Sequence, residues 1–164
     1  MFCLADWIKR KRVDSVCPGY SGRAHWEFFK HVLSKPEMKN ICVLGVYKGR
    51  DIAYMSTIKK SVNQHDFHLM GVDKFDDRYC DDWPEELRTK TWQEAGFGDP
   101  PDLKKAENNL RRLNVSSNVR LRRDLAEHFL ATSRDFFDFI YIDTAHDYES
   151  TVKIIELALA GARL

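Results

Sequence analysis

Four short runs of β-branched and aromatic residues alternate with helical patterns along this chain of 164 residues. The runs are typical of strands and lie at Asn40–Val46, Phe67–Val72, Val119–Arg122 and Phe137–Ile142. The helical patterns, with apolar residues three or four positions apart, include Arg50–Lys60, Leu103–Leu113 and Tyr148–Ala160. Strands that alternate with helices are joined by right-handed crossovers and lie parallel. The order therefore predicts an α/β fold, a Rossmann-like parallel sheet with helices on both faces.

The rest of the chain fits one domain over residues 1–164. Residues 1–39 form an N-terminal helical segment, in which Leu4–Lys11 and Gly22–Leu33 are the predicted helices. Residues 76–101 are rich in Asp, Trp, Gly and Pro and are too long for an ordinary crossover loop. We expect this insertion to lie over the sheet edge or over a ligand cleft.

Charge and cysteine content restrict the partners and the compartment. The chain has 26 lysines and arginines against 25 aspartates and glutamates, a net charge of +1, so no global field favours nucleic acid or an anionic membrane. The N-terminus does not resemble a secretory signal. The 4 cysteines show neither zinc-ligand spacing nor a disulfide framework. We therefore expect a cytoplasmic protein with no nucleic acid and no membrane as partner.

Glycines and acids mark the ends of the predicted strands. The turn from Gly45 to Gly49 follows the first strand, and Asp73, Asp124 and Asp143 end the next three. Ligands of such sheets bind beyond the carboxyl ends of the strands, where the strand order reverses. Tight turn packing explains the glycines equally well, and helix capping explains each acid alone. Three acids together favour a ligand site, because clustered carboxylates repel one another.

Four segments resemble the successive motifs of class I S-adenosylmethionine-dependent methyltransferases: ICVLGVYKGRDIAYM, HLMGVDKFDD, NVRLRRDLAEHF and FDFIYIDTAHDYEST. The subgroup most similar to them is the macrocin O-methyltransferase type, whose fourth strand runs into an I-D-x-x-H-x-Y element. The resemblance covers Asn40 to about Leu159. It implies binding of S-adenosyl-L-methionine and methyl transfer to an oxygen of a hydroxylated small molecule.

The resemblance also implies roles for individual residues. Those expected to bind the cofactor are Gly45, Val46, Tyr47 and Gly49 in the first turn, Asp73 and Lys74 after the second strand, and Asp124 and Leu125 after the third. The first group would surround the methionine part, Asp73 would bind the ribose, and Asp124 with Leu125 would lie by the adenine. In metal-dependent members, the residue matching Asp143 is a magnesium ligand, and the one matching His146 is the base that deprotonates the acceptor hydroxyl.

Two departures from the family pattern leave alternatives open. Val43 stands where the family usually has an acid, and the chain ends at Leu164, before the fifth strand of the family. A truncated domain could act as a noncatalytic cofactor-binding or assembly module, and its fourth strand would be an apolar edge prone to homo-oligomer formation. A nicotinamide-dependent oxidoreductase is the other alternative, although the first turn lacks a compact G-x-G-x-x-G.

Overall fold

The computed structural model describes residues 3–62, 64–76, 90–96, 98–144 and 147–161. These residues form one sheet of four parallel strands, in the spatial order β3-β2-β1-β4. The strands are β1 (Asn40–Leu44), β2 (His68–Asp73), β3 (Val119–Arg123) and β4 (Phe139–Ile142). The chain moves outward from β1 through β2 to β3 and then returns to the other side of β1 for β4. The strand order therefore reverses at β1, between β2 and β4.

Six α-helices lie in the described part of the chain. They are α1 (Leu4–Val16), α2 (Arg23–Leu33), α3 (Arg50–Ser61), α4 (Leu103–Arg112), α5 (Ala126–Thr132) and α6 (Tyr148–Gly161). A short 3-10 turn, Ser116–Asn118, precedes β3. None of the described helices is both long enough and apolar enough to cross a bilayer.

Alternate residues of β1 face two separate hydrophobic cores. Ile41 and Val43 join the core that contains side chains of α1 to α4. Cys42 and Leu44 join the opposite core, with Ala126 of α5 and further side chains from α5 and α6. A parallel strand covered on both faces is apolar along its whole length, and all four of these β1 side chains are fully buried.

The α/β fold with helices on both faces is confirmed, as is the N-terminal helical pair. Several boundaries differ from the sequence prediction, and two of these differences have a clear physical reason. β1 ends at Leu44 rather than Val46, because the backbone turns at Gly45. The first helix continues past Lys11 to Val16, because burial of Val13 in the core stabilises the additional helical residues.

Candidate active site

The cleft lies where the strand order reverses, beyond the carboxyl ends of β1, β2 and β4. Its walls come from the segment before α2, the β1–α3 turn, the end of β2 and the residues after β4. The lining side chains and backbone groups belong to Gly19, Tyr20, Ser21, Gly45, Val46, Tyr47, Arg50, Asp51, Asp73, Lys74, Trp92, Pro101, Asp143 and Thr144. Five of the residues predicted to bind cofactor are thus brought together with Asp143.

Gly45 makes the sharp exit from β1 into this cleft. Its φ is 94°, in the left-handed region that favours glycine, and its backbone N–H donates to the Val72 carbonyl at 2.8 Å. A Cβ at this position would overlap the carbonyl oxygen of Asp143. Asp143 itself is held by its N–H, which donates to the Leu44 carbonyl at 2.7 Å. Gly45 therefore lets the chain after β4 lie directly against the turn after β1.

Asp73 fixes the β1–α3 turn from the end of β2. Its Oδ2 accepts the backbone N–H groups of Val46 and Tyr47, both at 2.8 Å, and its Oδ1 accepts the N–H of Phe75 at 2.8 Å. A carboxylate offers about four lone-pair positions, so one position remains for a ligand. The ribose role of Asp73 stays a prediction. The structure adds a positioning role that the sequence pattern did not indicate.

Tyr47 lies between two other aromatic rings beside the cleft. Its ring stacks on Trp92 with centroids 5.5 Å apart, and the ring of Tyr20 lies at 5.8 Å. The hydroxyl of Tyr47 donates to the Asp99 carbonyl at 3.0 Å. The described part of the insertion is thereby connected to the β1–α3 turn, and Trp92 becomes part of the cleft wall.

Comparison with known families decides what kind of domain this is. A family model described as a methyltransferase domain matches residues 42–163. The chain belongs to this methyltransferase family. A search of curated proteins gives no match.

Solved structures share the fold of this methyltransferase domain at low sequence identity. The O-methyltransferase NovP is 14% identical with a TM-score of 0.67, over 96% of this chain and 69% of that one. A Podospora anserina methyltransferase with S-adenosylhomocysteine bound is 13% identical with a TM-score of 0.62, over 98% of this chain and 57% of that one. A Bacillus cereus O-methyltransferase, also in complex with S-adenosylhomocysteine, is 15% identical with a TM-score of 0.59, over 99% of this chain and 64% of that one. The methyltransferase domain thus spans less than two thirds of the latter two proteins.

The other predicted cofactor-binding residues lie outside the cleft wall. Gly49, with φ 89°, is the residue just before α3 and faces Ala106 of α4. Leu125 is 58% exposed. Asp124 pairs with Arg122 and with His128, each at 2.7 Å. Burial alone would raise the pKa of Asp124, but these two partners outweigh it and the pKa is lowered. The adenine contacts expected of Asp124 and Leu125 stay predictions.

The catalytic and metal predictions concern the end of β4. Asp143 lines the cleft, whereas His146 lies outside the described residues. Among the described residues, no three His, Cys, Asp or Glu side chains cluster as a metal site would require. The metal role of Asp143 and the catalytic roles of Asp143 and His146 therefore stay predictions.

Asp51 is a cleft residue that sequence reasoning missed. It lies in the first turn of α3, is only 8% exposed and lines the cleft. Burial, followed by the nearby Asp143, raises the pKa of Asp51 in spite of a hydrogen bond from Ser21. An acid two residues after Gly49 was visible in the sequence, but helix capping and solvent exposure explain most acids at a helix start.

Proposed function

We propose that this domain binds S-adenosylmethionine in the cleft and transfers its methyl group to an oxygen of a hydroxylated small molecule. One observation supports the proposal above the others: the β1–α3 turn, fixed by Asp73, opens at the point of strand reversal in a chain of the methyltransferase family. Structures of similar fold contain the reaction product, S-adenosylhomocysteine.

The residues present fit such a cofactor. Gly45 contributes to the cleft lining, Asp73 keeps one acceptor position for a sugar hydroxyl, and the stacked rings of Tyr47 and Trp92 form an aromatic part of the cleft wall. S-adenosylmethionine would supply a methyl group on a positively charged sulfur. The protein's part is to hold an acceptor oxygen in line with that methyl group, and positioning of this kind provides much of the rate.

The acceptor proton needs a base near the end of β4. We propose His146 for this role, because it follows Asp143 by three positions in the sequence and a neutral imidazole accepts protons near neutral pH. Magnesium assistance, expected from the family resemblance, would rest on Asp143. Since the described side chains form no cluster of three possible ligands, no step is assigned to a metal.

Calorimetric titration with S-adenosylhomocysteine tests the first half of the proposal. We expect saturable binding of one equivalent, and a large loss in Asp73→Ala, because hydrogen bonds to a charged acceptor contribute about 1.5 to 3 kcal/mol each. Asp66→Asn is the control, since Asp66 is exposed and pairs with Lys39 away from the cleft. Absence of binding to the parent chain would contradict the proposal.

Transfer of labelled methyl groups to a panel of hydroxylated small molecules tests the second half. We expect His146→Ala to reduce the rate by about 10²- to 10⁴-fold with little change in cofactor affinity. Parallel reactions with magnesium and with a chelator measure metal dependence directly. Cofactor binding without transfer to any acceptor would instead favour the alternative of a noncatalytic cofactor-binding module.

A further inference from the structure

Asp51 is a buried carboxylate with an unsatisfied oxygen at the edge of the cleft. Within the described part of the chain, its Oδ1 is buried and has no hydrogen-bond partner. Ser21, at the start of the segment that leads into α2, hydrogen-bonds to the carboxylate. A buried charge is costly unless it is paired and hydrogen-bonded. The arrangement is therefore incomplete in the protein alone.

Two basic side chains near Asp51, Arg50 and His25, lower its pKa less than burial raises it, and both hydrogen-bond to other groups. The Arg50 guanidinium donates to the carbonyls of Cys17 and Ser21, both at 2.7 Å. Nδ1 of His25 accepts the backbone N–H of Gly22 at 3.3 Å. On the β4 side, Asp143 adds a second negative charge instead of compensating the first. The local field at Asp51 therefore favours a cation that comes from outside the chain.

The unsatisfied oxygen also restricts what that cation can be. An acceptor without a partner needs a donor hydrogen, and S-adenosylmethionine has two positively charged groups, a sulfonium and an α-ammonium. Only the ammonium has N–H groups to donate. Val43 of β1 is apolar and fully buried, so the neighbouring strand offers no charge for this purpose.

We infer that Asp51 binds the α-ammonium group of the cofactor's methionine part, and that α3 thereby supplies the negative charge of this subsite. Because the cofactor is the one proposed above, the inference rests on that function. Asp51 then selects for ligands that retain the amino group. The ion pair forms only when the cofactor enters, which satisfies Oδ1 and offsets the repulsion between Asp51 and Asp143.

A matched pair of ligands and an isosteric variant test this role. S-adenosylhomocysteine contains the ammonium and lacks the sulfonium; S-(5′-adenosyl)-4-thiobutyrate retains the carboxylate but has hydrogen in place of the ammonium. Both are titrated calorimetrically, in the presence of a chelator, into the parent chain, Asp51→Asn and the control Asp66→Asn. We expect Asp51→Asn to bind S-adenosylhomocysteine roughly ten- to hundredfold more weakly than the parent does. Its affinity for the deaminated ligand should stay within about twofold of the parent's.

Thermal unfolding of the unliganded proteins separates binding from folding. Asp51→Asn removes a buried charge next to Asp143 and preserves shape, so we expect its Tm to equal or exceed that of the parent. Equal affinities of the parent and Asp51→Asn for S-adenosylhomocysteine would overturn the inference. It would also be overturned if Asp51→Asn lost the same affinity for both ligands, or if the parent bound S-adenosylhomocysteine only when the chelator was absent. Failure of the parent to bind either ligand under any condition would instead overturn the proposed function.

Discussion

Gly45 and Gly49 have the same left-handed backbone but different surroundings. Their φ values are 94° and 89°. A Cβ on Gly49 would meet Ala106 at 3.7 Å, an ordinary van der Waals contact, whereas a Cβ on Gly45 would overlap the carbonyl of Asp143. Alanine at position 49 therefore suffers only from backbone strain. Alanine at position 45 must also push the end of β4 away from β1.

We expect Gly49→Ala to reduce the free energy of unfolding by about 1 to 2 kcal/mol, the usual strain of a non-glycine residue in this region. Gly45→Ala should cost clearly more, because Asp143 cannot move without breaking its hydrogen bond to Leu44. Urea denaturation followed by near-UV circular dichroism measures both. Equal losses in the two variants would show that β4 yields easily at Gly45.

The sequence predicted which residues meet at the cleft better than it predicted why they are there. The period of the strands and the acids at their ends indicated Gly45, Asp73 and Asp143. The pattern did not indicate that Gly45 leaves room for Asp143, or that Asp73 binds the backbone of the turn after β1. Both are contacts between segments far apart in the chain, and local periodicity contains no information about such contacts.

The C-terminal ends of α2 and α3 are joined by a buried lysine. Lys59 of α3 is fully buried, and its Nζ donates to the Leu33 carbonyl at 3.2 Å and to the side-chain oxygen of Gln64. Burial lowers the pKa of Lys59. The ammonium thus satisfies a helix-terminal carbonyl that would otherwise lack an intrahelical donor. The amphipathic pattern of α3 gave no sign of this, because a lysine at that position is normally exposed.

Replacement of Lys59 by methionine keeps the length of the side chain and removes the donor. We expect Lys59→Met to lower the free energy of unfolding by about 1 to 3 kcal/mol, the cost of an unsatisfied buried acceptor. For a protein of this size, each kcal/mol corresponds to about 2 to 4 °C in Tm. Lys60→Met is the matched control, since Lys60 donates to Asn114 at the exposed surface. A higher Tm for Lys59→Met than for Lys60→Met would show that apolar packing outweighs the hydrogen bonds.

The N-terminal helices complete both the core and the cleft of the whole molecule. Trp26 and Phe29 of α2 are buried and make T-shaped contacts with Tyr54 and Tyr141, at centroid distances of 5.2 and 5.0 Å. Leu33 is fully buried. The segment between α1 and α2 supplies Tyr20 and Ser21 to the cleft wall. The family model begins only at residue 42, yet side chains of α1 and α2, which precede that residue, belong to the core on one face of the sheet.

A chain without residues 1–34 should therefore fail to fold cooperatively. Burial of a large apolar side chain stabilises a protein by about 1.5 to 3 kcal/mol, so loss of Trp26, Phe29 and Leu33 removes an amount comparable to the whole stability of a typical domain. We expect the shortened chain to lose its near-UV circular dichroism, to bind a hydrophobic dye and to bind no S-adenosylhomocysteine. A chain without residues 1–5 is the control, because it retains the buried side chains of α1 and α2. Cooperative unfolding of the chain without residues 1–34 would contradict this prediction, since α3 and the sheet would then form a stable core without α2.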